Sequence, residues 1–105
     1  MSYRWPEKDP DEVADFSIDW SRFLGSDSIV SATFFINDAN GTKTQVSTSQ
    51  FVNGLQFIAG TVSGNVATAR FGSGTDNSRY TITCRIQTTQ SLTYERSVIL
   101  PIRNR

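Results

Sequence analysis

Histidine is absent from the 105 residues, and cysteine and methionine occur once each. Without histidine the commonest general base at neutral pH is missing, and with it every Ser-His or Cys-His nucleophile pair, so the inventory argues against an enzyme. A lone cysteine, Cys84, forms no internal disulfide. With no histidine beside it, the soft ligands of zinc, haem and iron–sulfur sites are lacking too, and no metal or other cofactor is expected. Charge of one sign is not in excess: Lys plus Arg equals Asp plus Glu at ten each. No basic cluster stands out, so nucleic acid is not expected as a partner. No apolar run approaches the roughly 20 residues needed to span a bilayer, and no membrane association is expected. The opening MSYRWPEKDPDEV has no apolar stretch behind its charges, so a secretory signal is not expected and synthesis in a cytoplasm is. The length suffices for one buried core and falls short of two ordinary domains.

What is present divides the chain in two. Residues 1–15 hold two of the three prolines, and six charges fall between Glu7 and Asp15 with no strand-length alternation. This stretch reads as an N-terminal docking arm, and residues 16–105 as one β-sandwich domain. From Phe16 the pattern becomes Phe16, Ile18, Trp20 against Ser17, Asp19, Ser21, the two-residue period of a half-buried strand. Residues 28–37 are β-branched and aromatic, with Val30, Ala32, Phe34 and Ile36 predicted on one face and Ile29, Thr33 and Phe35 on the other. Residues 37–41 form a turn cluster. Asn53-Gly54, between Phe51-Val52 and Leu55-Gln56-Phe57, is the strongest hairpin signal, because a tight turn needs positive φ at both positions.

Tyr80, Ile82, Cys84 and Ile86 alternate with Thr81, Thr83, Arg85 and Gln87 in the cleanest strand of the chain. A last run, residues 92–102, alternates Tyr94, Arg96, Val98, Leu100 and Ile102 against Thr93, Glu95, Ser97, Ile99 and Pro101. Pro101 has no amide hydrogen, which puts the end of this strand at a sheet edge or beyond the ladder. About seven short strands, with helical periodicity only over residues 21–24, predict an all-β, Ig-like antiparallel β-sandwich with an extended N-terminal arm. A small barrel is the alternative closure. The predicted core comprises Phe16, Ile18, Trp20, Phe34, Tyr80, Ile82, Cys84, Ile86, Val98 and Leu100. Within it, Asp76-Asn-Ser-Arg-Tyr80-Thr-Ile-Thr-Cys84 resembles the tyrosine corner of Ig-like domains, where a tyrosine opening the penultimate strand bonds back to a preceding turn. The gap from Tyr80 to Cys84 is four residues rather than two and no partner cysteine exists, which points to disulfide-free modules.

Several motifs test the possibility of a chemical site. Asp9, Asp11, Glu12 and Asp15 form an acidic cluster, but Ala14 and Trp20 occupy the positions where a calcium loop of the EF-hand type needs glycine and glutamate. Asp38 to Gly41 echoes the same motif and is explained by turn chemistry. Asp15 and Asp19 lie too far apart along a strand for a retaining glycosidase pair. Gly72-Ser-Gly74 starts a dinucleotide fingerprint that Asn77 and a following strand do not complete. Asn40-Gly41-Thr42 is a glycosylation acceptor only in a secretory pathway. Cys84, between Ile82 and Ile86, reads as a small core hydrophobe.

The arm offers binding rather than catalysis. Tyr3 and Trp5 are large aromatics outside the predicted strands, and together with Arg4, Lys8, Asp9, Asp11, Glu12 and Val13 they are the candidate partner-binding residues. Residues 1–20 carry Arg4 and Lys8 against six carboxylates, whereas residues 70–105 carry six arginines against Asp76 and Glu95. Attraction between the two ends is expected, within one chain or between neighbours.

The string Lys8-Asp-Pro-Asp-Glu-Val-Ala-Asp-Phe-Ser-Ile-Asp-Trp20, followed by Leu24-Gly25, resembles the opening of the small Ig-like fiber-tail adaptor proteins of tailed bacteriophages. The likeness continues more loosely through Gly74-Thr-Asp-Asn-Ser-Arg-Tyr80-Thr-Ile-Thr and Glu95-Arg-Ser-Val-Ile-Leu-Pro-Ile102. The family's usual glycine between its last two strands is missing from residues 87–93. The resemblance implies a virion protein, assembled in the bacterial cytoplasm, that attaches tail fibers to the tail. Its partners would be tail and tail fiber proteins and copies of itself in a symmetric assembly. A capsid decoration protein is the nearest alternative. A carbohydrate-binding module touching the host surface is a second, although the sandwich loops offer mainly Gly, Ser, Asn and Thr.

Overall fold

Where the sequence alternates most cleanly the chain forms its longest strand. In the computed structural model, which describes residues 3–37 and 40–104, β8 (Ser78–Thr88) pairs along its length with β9 (Thr93–Ile102) and on its other side with β3 (Ile29–Asn37). Asp38 and Ala39, the centre of one expected turn, and the side chain of Tyr3 lie outside the described residues. The remaining strands are β1 (Tyr3–Arg4), β2 (Ala14–Asp19), β4 (Lys43–Gln45), β5 (Gln50–Val52), β6 (Leu55–Ser63) and β7 (Val66–Ser73), with one helical turn, α1 (Ser21–Leu24), after β2. They form two sheets, ordered β1-β9-β8-β3-β4 and β2-β7-β6-β5. The result is an Ig-like β-sandwich, antiparallel throughout except where β1 runs parallel to β9. The described strands number nine rather than about seven, because two- and three-residue strands such as β1 and β4 are too short to show alternation.

All ten predicted core residues lie in one buried cluster between the sheets. Aromatic rings run through it: Phe34 meets Phe57 at 5.6 Å, Phe57 meets Phe71 at 5.8 Å, and Phe71 meets Phe16 at 6.2 Å. The Asn53-Gly54 hairpin closes β5 on β6 with φ of 52° and 88°, as a primed turn requires. Val30 departs from its predicted face. A register shift between Ile29 and Ser31 inserts a bulge there, and Val30 is 62% exposed. Phe35, on the outer face of β3, is nonetheless buried: the Arg85 guanidinium lies 4.6 Å and the Lys43 ammonium 5.6 Å from its ring centre, and both cations bond Glu95.

Candidate interaction surfaces

The N-terminal segment is laid against the last strand. Tyr3 and Arg4 pair with Val98 and Ile99, the Trp5 amide donates to the Ile99 carbonyl (2.9 Å), the Lys8 amide donates to the Pro101 carbonyl (3.0 Å), and the Arg103 amide donates to the Lys8 carbonyl (2.9 Å). Pro101 pairs with Arg79 on its β8 side. A strand residue's nitrogen and oxygen point the same way, so the missing donor of Pro101 faces the arm, where the parallel ladder has already lapsed after Arg4.

Trp5 and Lys8, both assigned to partner binding by the sequence reading, are placed inside the fold. The Trp5 side chain enters the core beside Phe16 (5.2 Å) and Phe71 (6.0 Å), and its indole N–H donates to the Ser17 carbonyl on β2 (3.1 Å). Lys8 is buried, with Nζ donating to the carbonyls of Asp9 (2.8 Å) and Ser73 (2.6 Å). Burial pushes its pKa down, against the opposing pull of the Glu12, Asp9 and Asp11 carboxylates. The physical reason for both placements is β1: a two-residue parallel pairing to a strand almost a hundred residues away in sequence leaves no local pattern.

Between Lys8 and β2 the chain turns. Glu12 donates its amide to the Asp9 carbonyl and accepts the Asp9 amide on its carboxylate (2.7 Å), and the Asp11 amide donates to the Asp9 carboxylate (2.9 Å). Arg4, Asp11 and Glu12 are exposed, Asp9 is half-buried, and Val13 is 63% exposed. Of the expected attraction between the chain's two ends, Arg70 forms a forked pair with Asp15 (2.8 and 3.2 Å), and Arg103 lies 3.5 Å from Glu7. Both pairs lie at the surface, where solvent screening leaves such contacts little net stabilising effect. The Arg70 hydrogen bond nevertheless lowers the Asp15 pKa.

The interior is built for rigidity. Tyr80 donates its hydroxyl to the Asn53 carbonyl (2.8 Å) and accepts the Thr75 amide (3.0 Å), tying two turns together as a tyrosine corner does. Cys84 is fully buried, and burial raises its thiol pKa to about 11. The Trp20 ring is buried and is covered by the Arg96 guanidinium at 5.0 Å. Asp27 accepts from Thr89 Oγ1 (2.6 Å) and the Ser28 amide (2.8 Å), with a pKa lowered first by the Thr89 bond. No group of three or more His, Cys, Asp or Glu among the described residues is placed to hold a metal, and none of their helices is long and apolar enough to cross a membrane.

Two exposed apolar surfaces went unnamed by the sequence reading. Phe51 is 57% exposed on the outer face of the four-stranded sheet, where Gln56 and Gly72 follow in register and Val13 and Ile58 flank Gly72. Alternation around the Asn53-Gly54 turn carried this signal, since Val52 and Phe51 must face opposite ways. Phe23, in α1, stacks edge-on against Tyr94 at 4.6 Å and is still 51% exposed. A helical pattern of four residues is too short to show which of its side chains stays exposed.

These features define a small, disulfide-free Ig-like module with an anchored N-terminal segment. A family model described as "Podophage GP4 fiber-tail adaptor protein gp77" matches residues 8–101. The chain belongs to this family, and it is a structural protein of the tailed-phage virion that serves as a fiber-tail adaptor. No curated protein matches it. Among solved structures, the solution structure of the PKD domain from KIAA 1837 protein is similar, at 18% identity and a TM-score of 0.45, over 95% of this chain and 82% of that one.

Proposed function

We propose that the adaptor joins fiber to tail through protein–protein contacts alone, as a rigid connector and not as an enzyme, and that residues 1–15 supply one of its two contact surfaces. The observation that supports this is the anchoring of the segment. Trp5 and Lys8 fix it from inside, and the same short stretch then turns Arg4, Asp11, Glu12 and Val13 outward, with Asp9 closing the turn. A preorganised loop loses little entropy on docking, which favours tight association. Tyr3 belongs to this surface by its place in the sequence. The partners are tail and tail fiber proteins, together with further copies of the adaptor in a symmetric assembly; neither nucleic acid nor membrane is required. Assembly takes place in the host bacterial cytoplasm.

The test is complementation of a phage lacking the adaptor with Val13→Asp and with the double variant Asp11→Asn, Glu12→Gln. All three positions are exposed, so the purified variants should still fold cooperatively. Particles made with Val13→Asp should lack fibers, and those made with the charge variant should acquire fibers more slowly, with reduced salt dependence. Fully fibered particles from both variants would refute the arm as a contact surface.

A further inference from the structure

Edge strands with unpaired backbone groups template the addition of another strand, and proteins blunt them by shortening, charging, bulging or covering them. Most edges of this sandwich are blunted in that way. β9 is covered by β1 and the Lys8 clasp, β2 carries Asp15 and Asp19 and receives the Trp5 indole, and β4 and β5 are three residues each, with Lys43 on β4. One edge is not. β6 pairs with β5 only from Leu55 to Phe57, and the Ser49 amide takes the Ile58 carbonyl (3.3 Å); beyond that point, among the described residues, β6 pairs with β7 alone.

The hairpin from Ser63 to Val66 fixes which groups are left over. Its Gly64 has φ of 59°, and Ser63 opposes Val66, Thr61 opposes Thr68, and Ala59 opposes Arg70. In a two-residue hairpin the flanking pair exchanges hydrogen bonds and every second pair repeats it, so the N–H and C=O of Gly60 and Val62 point away from β7. Residues 59–63, Ala-Gly-Thr-Val-Ser, contain neither charge nor proline. Across from them on the other sheet, β3 is likewise unpaired below Phe34, but its bulge at Val30 bends that edge. Between the two edges lies a groove of about 310 Å³, lined by the Phe34 and Phe57 rings, by Gly60, and by the polar but uncharged Gln45, Ser47 and Thr48 among others. Gly60 keeps it open: a Cβ there would sit 3.0 Å from the Phe34 ring and 3.1 Å from Phe57. Val62, although on the inward side opposite Ala67, remains 38% exposed.

Resting on the adaptor reading, we propose that the free edge of β6 at residues 59–63 is the second contact surface. Its occupant is an extended, uncharged segment of a partner virion protein, which adds as a fifth strand through the backbone groups of Gly60 and Val62. Alternate side chains of that segment, small and apolar, would enter the groove over Phe34 and Phe57. A charged segment is excluded by cost, because its inward side chains would have to desolvate against aromatic rings with no counter-charge on the lining.

Hydrogen exchange of the peptide covering residues 59–63 tests this, in the free protein and in purified virions. In the free protein the Gly60 and Val62 amides should exchange fast while Thr61 is protected by β7. In virions those two amides should slow by about tenfold or more. Val62→Pro removes a donor the fold does not use, and Val62→Lys charges the edge; both should fold, with unchanged exchange in β8 and β9, and both should fail to yield fibered particles. Fast exchange of Gly60 and Val62 in fibered virions, or normal fiber attachment by a folded Val62→Pro, would overturn the edge proposal and leave the adaptor reading intact. Absence of the protein from fibered particles would overturn both. Protection already present in the free protein, together with a dimer that Val62→Pro dissolves, would assign the edge to a second copy and also overturn it.

Discussion

Replacing Trp5 by alanine removes an aromatic that the N-terminal segment lends to the core. A buried tryptophan withdraws roughly 150–250 Å² from water, and at about 25 cal/mol per Å² its full truncation has an upper limit near 6 kcal/mol. Two features of the site bring the expected loss below that limit. A cleft of about 450 Å³ opens beside the ring, lined by Pro6, Glu7, Lys8 and Glu12 among others, so water can fill part of the space left behind. The Ser17 carbonyl that loses the indole donor lies on an edge strand, where solvent can replace it. A loss of about 3 kcal/mol follows, within the usual range for large core truncations, and corresponds to a melting point lower by about 10–20 °C in a domain of this size. Urea denaturation monitored by far-UV circular dichroism measures it directly, and the transition should shift its midpoint without a change in slope. Trp5→Phe keeps most of the packing and loses the Ser17 bond, so about 1 kcal/mol should go. A Trp5→Ala loss below about 1 kcal/mol would refute the anchored segment, because a residue 7% exposed in a shared aromatic cluster cannot be removed so cheaply.

Tyr80→Phe strips the hydroxyl that serves both the Asn53 carbonyl and the Thr75 amide, and stability should fall by about 1–3 kcal/mol in the same denaturation assay. The Cys84 thiol, with a pKa of about 11 in the fold against an ordinary 9.0, should resist alkylation in the native protein and react at once in denaturant. Because the folded value is the higher one, its stabilising effect is whole below pH 9.0 and is lost as pH rises toward about 11; Cys84→Ala should remove that part of the alkaline decline, seen as a flatter plot of denaturation midpoint against pH. For Asp27 the sign is opposite: its lowered pKa means a contribution that is present above the ordinary carboxylate range and lost as pH falls through the folded value, and Thr89→Val should weaken that acid dependence.

How much the sequence disclosed depended on the range over which each structural cause acts. β8 was legible because residues 80–87 alternate without interruption, so Tyr80, Ile82, Cys84 and Ile86 could be assigned inward from their spacing alone. The Asn53-Gly54 turn was legible because positive φ selects those residue types locally. Val30 was not, since a bulge is a defect in pairing with another strand and leaves the residue's own neighbourhood unchanged. The burial of Phe35 under Arg85 and Lys43 required knowing that β8 and β4 flank β3. Trp5 and Lys8 were the hardest: both follow from a parallel pairing of two residues, and an amphiphilic segment with prolines and carboxylates reads equally as a free arm. The unprotected edge of β6 lay in plain view as Gly-Thr-Val-Ser, but only the shortness of β5 shows that it is unpaired.

The pairing of β1 with β9 also orders events in time. Synthesis proceeds from the N-terminus at about 5–20 residues per second, so the segment that must dock first in space is made roughly 5–20 s before the strand it docks on. Throughout that interval Trp5 has no bed, and Lys8 cannot close on Pro101 and Arg103. β2 and β7 can pair meanwhile, as can β5 and β6, because their partners lie nearer in the chain. The sandwich is therefore sealed last at its N-terminal seam, and only in chains that have been read through Ile102. A ribosome that stops short releases a protein with an exposed tryptophan and a missing strand, a form that cellular proteases can distinguish from the finished adaptor before it ever reaches a growing tail.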